Sequence, residues 1–96
     1  MRKYEIMFIV KPDLEEGAIK AVFDSMKGVL ESKKANILDS KEMGQRELAY
    51  EIKDFKSGYY FVFQVEAEDD KAIKEFDRLA LINKDIIRHL ITKVED

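Results

Sequence analysis

The run Gly58-Tyr59-Tyr60-Phe61-Val62-Phe63-Gln64-Val65-Glu66 constrains the fold of this chain more than any other segment, because it sorts by parity into two unlike rows. Tyr59, Phe61, Phe63 and Val65 are all apolar, whereas Tyr60, Val62, Gln64 and Glu66 are mixed. Side chains alternate across a strand, so aromatic and β-branched residues in this pattern specify a strand with one dry face and one half-wet face. Gln64 and Glu66 would be costly to bury, which turns their row outward. The chain must therefore build a sheet that is covered on one side and open on the other.

Residues 4–10 repeat the pattern: Tyr4, Ile6, Phe8 and Val10 face the core, and Glu5, Met7 and Ile9 form the mixed row. Lys11-Pro12-Asp13 breaks this first strand, since proline has no ladder donor, and Asp13 is placed to cap a helix beginning near Leu14 or Glu15. Glu15 and Glu16 suit its first turn. Leu14, Ala18, Ile19, Val22, Phe23, Met26, Val29 and Leu30 recur at helical spacing as far as about Lys33. Ile37 and Leu38 open a second strand, with Gly44 as a bulge or bend. It resumes through Leu48-Ala49-Tyr50-Glu51-Ile52, where alternation assigns Leu48, Tyr50 and Ile52 to the core. Residues 54–58 read as a turn and 59–66 as the third strand. Asp69 or Asp70 then caps a second helix that buries Ala72, Ile73, Phe76, Leu79 and Ala80, and residues 86–93 supply a last strand.

The order strand, helix, strand, strand, helix, strand is the ferredoxin-like split βαβ unit, an α+β fold written βαββαβ. It implies a four-stranded antiparallel sheet with two helices on one face and the first and third strands central. With 96 residues, one domain spanning 1–96 is expected.

Composition narrows the function classes. No apolar run approaches the roughly 20 residues that span a bilayer, so no membrane role is expected. The basic start Met1-Arg2-Lys3 leads into a strand rather than a signal peptide, and cytoplasmic residence is the default. The chain has no cysteine, which excludes disulfides, thiolate metal sites and cysteine nucleophiles. Charged residues make up 39%, rich in Lys and Glu, a lean toward a heat-adapted source. A net charge of −3 argues against RNA binding through a broadly basic surface, so any RNA contact requires a local basic patch.

On the open face, Met7, Ile9, Tyr60 and Val62 gather beside Glu5 and Gln64, a mixed patch that suits a protein partner. Basic residues stand at Arg2 and Lys3, at Arg46, and at Arg88, His89 and Lys93 on the last strand. The first and last strands should be neighbours, so Arg2, Lys3 and Arg88 are expected to approach along one edge and hold a phosphate backbone. The run from Gly58 to Phe63 is superficially like the ribonucleoprotein signature of RNA-recognition motifs. Ser57, Tyr60 and Gln64 break that pattern, and parity buries Tyr59 and Phe61, so core packing is the better reading.

Catalytic chemistry finds little support. His89 is the only histidine, which excludes a histidine dyad or cluster. Asp69-Asp70 and Glu15-Glu16 are explained by their places at helix starts. Neither Gly44 nor Gly58 belongs to a phosphate-cradling motif. Neither a metal, a cofactor nor a small-molecule substrate is expected, and neither is enzyme activity.

Arg2-Lys3-Tyr4-Glu5, Gly44-Gln45-Arg46-Glu47-Leu48-Ala49-Tyr50-Glu51-Ile52, and Gly58-Tyr59-Tyr60 followed by Gln64-Val65-Glu66 together resemble the family of the sixth protein of the bacterial small ribosomal subunit. The segment Gly-x-Arg-x-Leu-Ala-Tyr is the most specific part, and the resemblance covers nearly the whole chain. It implies a structural ribosomal protein that binds the central domain of 16S ribosomal RNA cooperatively with the eighteenth small-subunit protein, as a heterodimer. On that reading Arg2, Lys3, Tyr4, Arg46, Arg88 and His89 are the RNA side, and Met7, Ile9, Tyr60 and Val62 the protein interface. Two positions depart from the family pattern: Glu51 stands where proline is common, and His89 where a second basic residue is common. The chain closes on Glu95-Asp96 without the long acidic tail of some members. The rival class is a dimeric ferredoxin-like module, either a ligand-binding domain or a cofactorless oxygenase, which would pair open sheet faces.

Overall fold

The elements follow in the expected order: β1 (Arg2–Val10), α1 (Glu16–Ser32), β2 (Asn36–Ile52), β3 (Phe55–Ala67), α2 (Lys71–Ile82) and β4 (Ile86–Val94). This computed structural model describes residues 2–94; Met1 and the closing Glu95-Asp96 lie outside the described residues. The strands form one antiparallel sheet in the order β2-β3-β1-β4, with β1 and β3 central. No helix among the described residues is long and apolar enough to cross a membrane.

Parity in the two central strands builds the core. Ile6, Phe8 and Val10 of β1 and Phe61, Phe63 and Val65 of β3 pack against Ile19, Val22, Phe23, Met26 and Leu30 of α1 and Ala72, Ile73, Phe76 and Ala80 of α2. Phe8 stacks on Phe61 at 5.2 Å between ring centroids, Phe23 lies 5.2 Å from Phe63, and Phe76 meets Phe8 edge-on at 5.8 Å. Burying each such ring contributes about 2–3 kcal/mol, so the aromatic row of β3 fixes which face both helices cover.

Helix ends differ in detail from expectation. α1 starts at Glu16 and its N-cap is Glu15, whose carbonyl accepts from the N–H groups of Ala18 and Ile19 at 3.0 Å. Asp13 does not cap it; its carboxylate lies 3.9 Å from Lys11 Nζ. At α2 the carboxylate of Asp69 accepts from the Lys71 N–H at 3.0 Å, while Asp70 occupies the N-cap position and pairs with Lys74 at 3.3 Å. α1 ends with Lys34 in the left-handed region at φ 65°. The Ala35 N–H then reaches Leu30 O and the Lys34 N–H reaches Glu31 O, both at 3.1 Å. This is the double-bonded helix terminus that glycine usually supplies.

The β2–β3 hairpin departs most from the regular pattern. Its register shifts between Ile37 and Asp39, between Glu42 and Gly44, and between Glu47 and Ile52. Gly44 sits at the second shift with φ 80°, the bulge expected there. The turn expected over residues 54–58 contracts to Lys53 and Asp54, with φ 50° and 70°, so β3 begins at Phe55. Between the pairs Glu47↔Ser57 and Ile52↔Phe55, residues 48–51 of β2 face Lys56 alone. The surplus chain bows out as an arm. Leu48, Tyr50 and Ile52 therefore do not enter the core: Tyr50 is 63% exposed, and Leu48 and Ile52 are half-buried on the opposite side of the sheet.

Candidate RNA and protein interface

Cross-strand register lays out the open face row by row. Tyr60, Ile9 and Arg88 are in line across β3, β1 and β4; next come Val62, Met7 and Leu90, then Gln64, Glu5 and Thr92, then Glu66, Lys3 and Val94. The second row is an apolar stripe crossing three strands, in which Met7 and Val62 are half-buried and Leu90 is 51% exposed. Leu90 is absent from the sequence-derived interface. Its signal was present in the last strand, where Leu90 alternates with Arg88 and Thr92 and so shares their face.

The arm alters the first row. Leu48, Ala49, Tyr50 and Ile52 line, with Met7, Ile9, Tyr60 and Arg88, a half-open cavity of about 110 Å³. Ile9 is only 2% exposed, so the expectation that it offers a surface to a partner is corrected: the arm covers it. It lies outside the main core cluster, in a second apolar layer of its own. Gly58 belongs to this layer, because a Cβ there would stand 2.3 Å from Ile9 Cγ2 and 3.1 Å from Val10 O. Only glycine leaves room for Ile9 to cross β3 beneath the arm.

The basic residues separate into two groups. Arg88 is paired in register with Ile9, whereas Lys3 is paired with Val94 and Tyr4 with Lys93. Lys3 and Ile9 are six positions apart on β1, about 20 Å at strand rise, so Arg2 and Lys3 do not approach Arg88. The antiparallel register places them at opposite ends of the sheet. Arg46 pairs with Gly58, close to the Tyr60 row, and belongs to the Arg88 end; its Nε is 3.4 Å from Met43 O. Arg88 Nη1 donates to Tyr50 Oη at 2.8 Å, which ties the arm to β4.

Two further candidates point away from this surface. Tyr4 is 7% exposed in the core cluster, so its ring is not available to a nucleotide. His89 follows Arg88 and so projects to the helical side. There its Nε2 lies 2.6 Å from Asp77 Oδ1 and its ring centroid 6.5 Å from that of Phe76. Strand alternation separates Arg88 and His89 by the thickness of the sheet. Among the described residues no group of His, Asp or Glu side chains is arranged to hold a metal ion.

Such a chain is a ferredoxin-like protein with one covered and one open sheet face, the open face carrying an apolar stripe and arginines at one end. Residues 3–93 match the family model for ribosomal protein S6, and the chain belongs to that family. Its structure is similar to that of 30S ribosomal protein S6 from Thermotoga maritima, with a TM-score of 0.92 at 31% sequence identity; the match covers 97% of this chain and 87% of that one. The protein is thus a small-subunit ribosomal protein, from a family of structural components of the cytoplasmic ribosome.

Proposed function

We propose that the protein binds the central domain of 16S ribosomal RNA cooperatively with the eighteenth small-subunit protein, as a structural element without enzyme activity. The observation that carries this reading is the division of one open face into an apolar stripe, Val62, Met7 and Leu90, and an adjoining end with Arg46 and Arg88. The stripe suits a protein, and the arginines suit a phosphate backbone. A partner seated on the stripe lies within one row of Arg88 and can share the RNA with it. With a net charge of −3, this local grouping supplies what the whole surface does not. Lys3 stands on the open face at the far end of the sheet, whereas Arg2, paired with buried Ala67 and of the same parity as Tyr4, lies on the helical side, so the two do not form one basic patch.

The test is a titration of central-domain RNA with the protein, with and without the eighteenth protein, at several salt concentrations. Affinity is expected to rise when the partner is present. Arg88→Ala should lower affinity and reduce the log–log salt slope by about one. RNA affinity indifferent to the partner, together with a stable homodimer in the analytical centrifuge, would favour the dimeric ferredoxin-like class instead.

A further inference from the structure

The arm joins side chains from the two outer strands, and their donor chemistry defines a site. Tyr50 belongs to β2 and Arg88 to β4, 38 residues apart in sequence and at opposite edges of the sheet. A guanidinium has five N–H donors and no acceptor, so the bond to Tyr50 Oη leaves most of them available. A phenol that accepts one hydrogen bond still has its own proton to donate. The two side chains thus place donors next to one another at an exposed position. Among the described residues no carboxylate pairs with Arg88, and the nearby Glu51 lies 4.0 Å from Lys56 Nζ.

The construction is costly for a surface contact. It requires a stretch of β2 out of register, a turn of two non-glycine residues in the left-handed region, and a glycine where Ile9 crosses. Burial of Ile9 beneath the arm offsets the cost of the backbone irregularity, but the exposed bond between Tyr50 and Arg88 returns little stability of its own. What the arrangement does achieve is to hold a long, rotamer-rich arginine in one orientation beside a second donor, removing part of the entropy lost on capturing an anion.

We infer that Tyr50 and Arg88 form one phosphate-binding site: Arg88 supplies the charge, and Tyr50 positions the guanidinium and donates its hydroxyl proton to the same phosphodiester. The inference rests on the RNA-binding function proposed above. It adds to it a neutral residue of the arm that parity had assigned to the core.

The experiment is a double-variant cycle of central-domain RNA binding, with the partner protein present and absent, across a salt series. Tyr50→Phe keeps the ring and the arm. It should weaken binding about three- to tenfold, the value of one hydrogen bond, with the salt slope unchanged because a neutral group releases no counterion. Arg88→Ala should lower both affinity and slope, and the double variant should fall short of the product of the two single effects. Tyr50→Phe binding like wild type, or single effects that simply multiply, overturns the shared site while leaving the proposed function in place. Wild-type protein that binds no central-domain RNA under either condition overturns both.

Discussion

Replacing Gly58 by alanine tests whether the arm and Ile9 form a packed second layer. The added Cβ would stand 2.3 Å from Ile9 Cγ2, against an ordinary carbon–carbon contact of about 3.5–4.0 Å, so Ile9 must move by more than about 1 Å. It has little room. Val10 O at 3.1 Å and Ile87 Cδ1 at 3.5 Å bound the same site, and Ile9 is 2% exposed beneath the arm. Overpacking of this kind costs about 1–3 kcal/mol, from which about 0.4–1 kcal/mol is recovered because alanine restricts the unfolded chain. The net expectation is a loss of about 1–2 kcal/mol, read in urea as a lower midpoint with an unchanged slope. Ile9→Ala removes the colliding methyl, so in that background Gly58→Ala should cost far less, with a coupling of about 1 kcal/mol between the two sites. Strictly additive losses, or a Gly58→Ala variant as stable as wild type, would refute the second layer.

Other consequences are open to measurement. Leu90→Glu places a charge in the apolar stripe at a half-exposed position; it should leave the unfolding midpoint nearly unchanged and weaken the eighteenth protein's binding at least tenfold, and undiminished binding by calorimetry would remove Leu90 from the interface. Lys34→Gly relieves a left-handed lysine at the end of α1 and should add about 0.5–1 kcal/mol in chemical denaturation; a variant no more stable than wild type would refute the strain assigned to that position. Phe76→Ala removes a fully buried ring shared with Phe8 and Phe63, with an expected loss of about 3–5 kcal/mol; collapse around the gap would lower this to about 2 kcal/mol, and a loss below about 1 kcal/mol would refute the burial of the ring.

Much of the architecture is legible along the chain because it rests on local periodicity. Tyr59, Phe61, Phe63 and Val65 announce the helix-covered side of β3, and the helical stripes of α1 and α2 follow at their own period. Gly44 marks its bulge through its freedom to adopt φ 80°. Parity fails where the ladder itself breaks. Once residues 48–51 face Lys56 alone, alternation no longer says which side Tyr50 takes, and neither Lys53 nor Asp54 announces the tight turn that creates the surplus. Distances across strands are equally invisible, since register is a long-range property of the pairing. Arg2, Lys3 and Arg88 share adjacent strands and still stand at opposite ends. Ile9 and Leu90 show the same limit in opposite senses: one is hidden by a remote segment, and the other matters only through its neighbours on β1 and β3.

The three register shifts of β2 also govern how the protein behaves when it is alone at high concentration. β2 is an outer strand of 17 residues, long enough to recruit a second chain and begin cross-β growth. Its regular stretches, Asp39–Glu42 and Gly44–Glu47, are only four residues each, and carry Asp39, Lys41, Glu42, Arg46 and Glu47. An incoming strand would lose its hydrogen-bond match at each bulge and meet a charge between bulges. The same irregularity that frees the arm therefore makes this border of the sheet a poor seed for fibrils, and straightening it by removing Met43 or the residues of the bow should raise the tendency to aggregate.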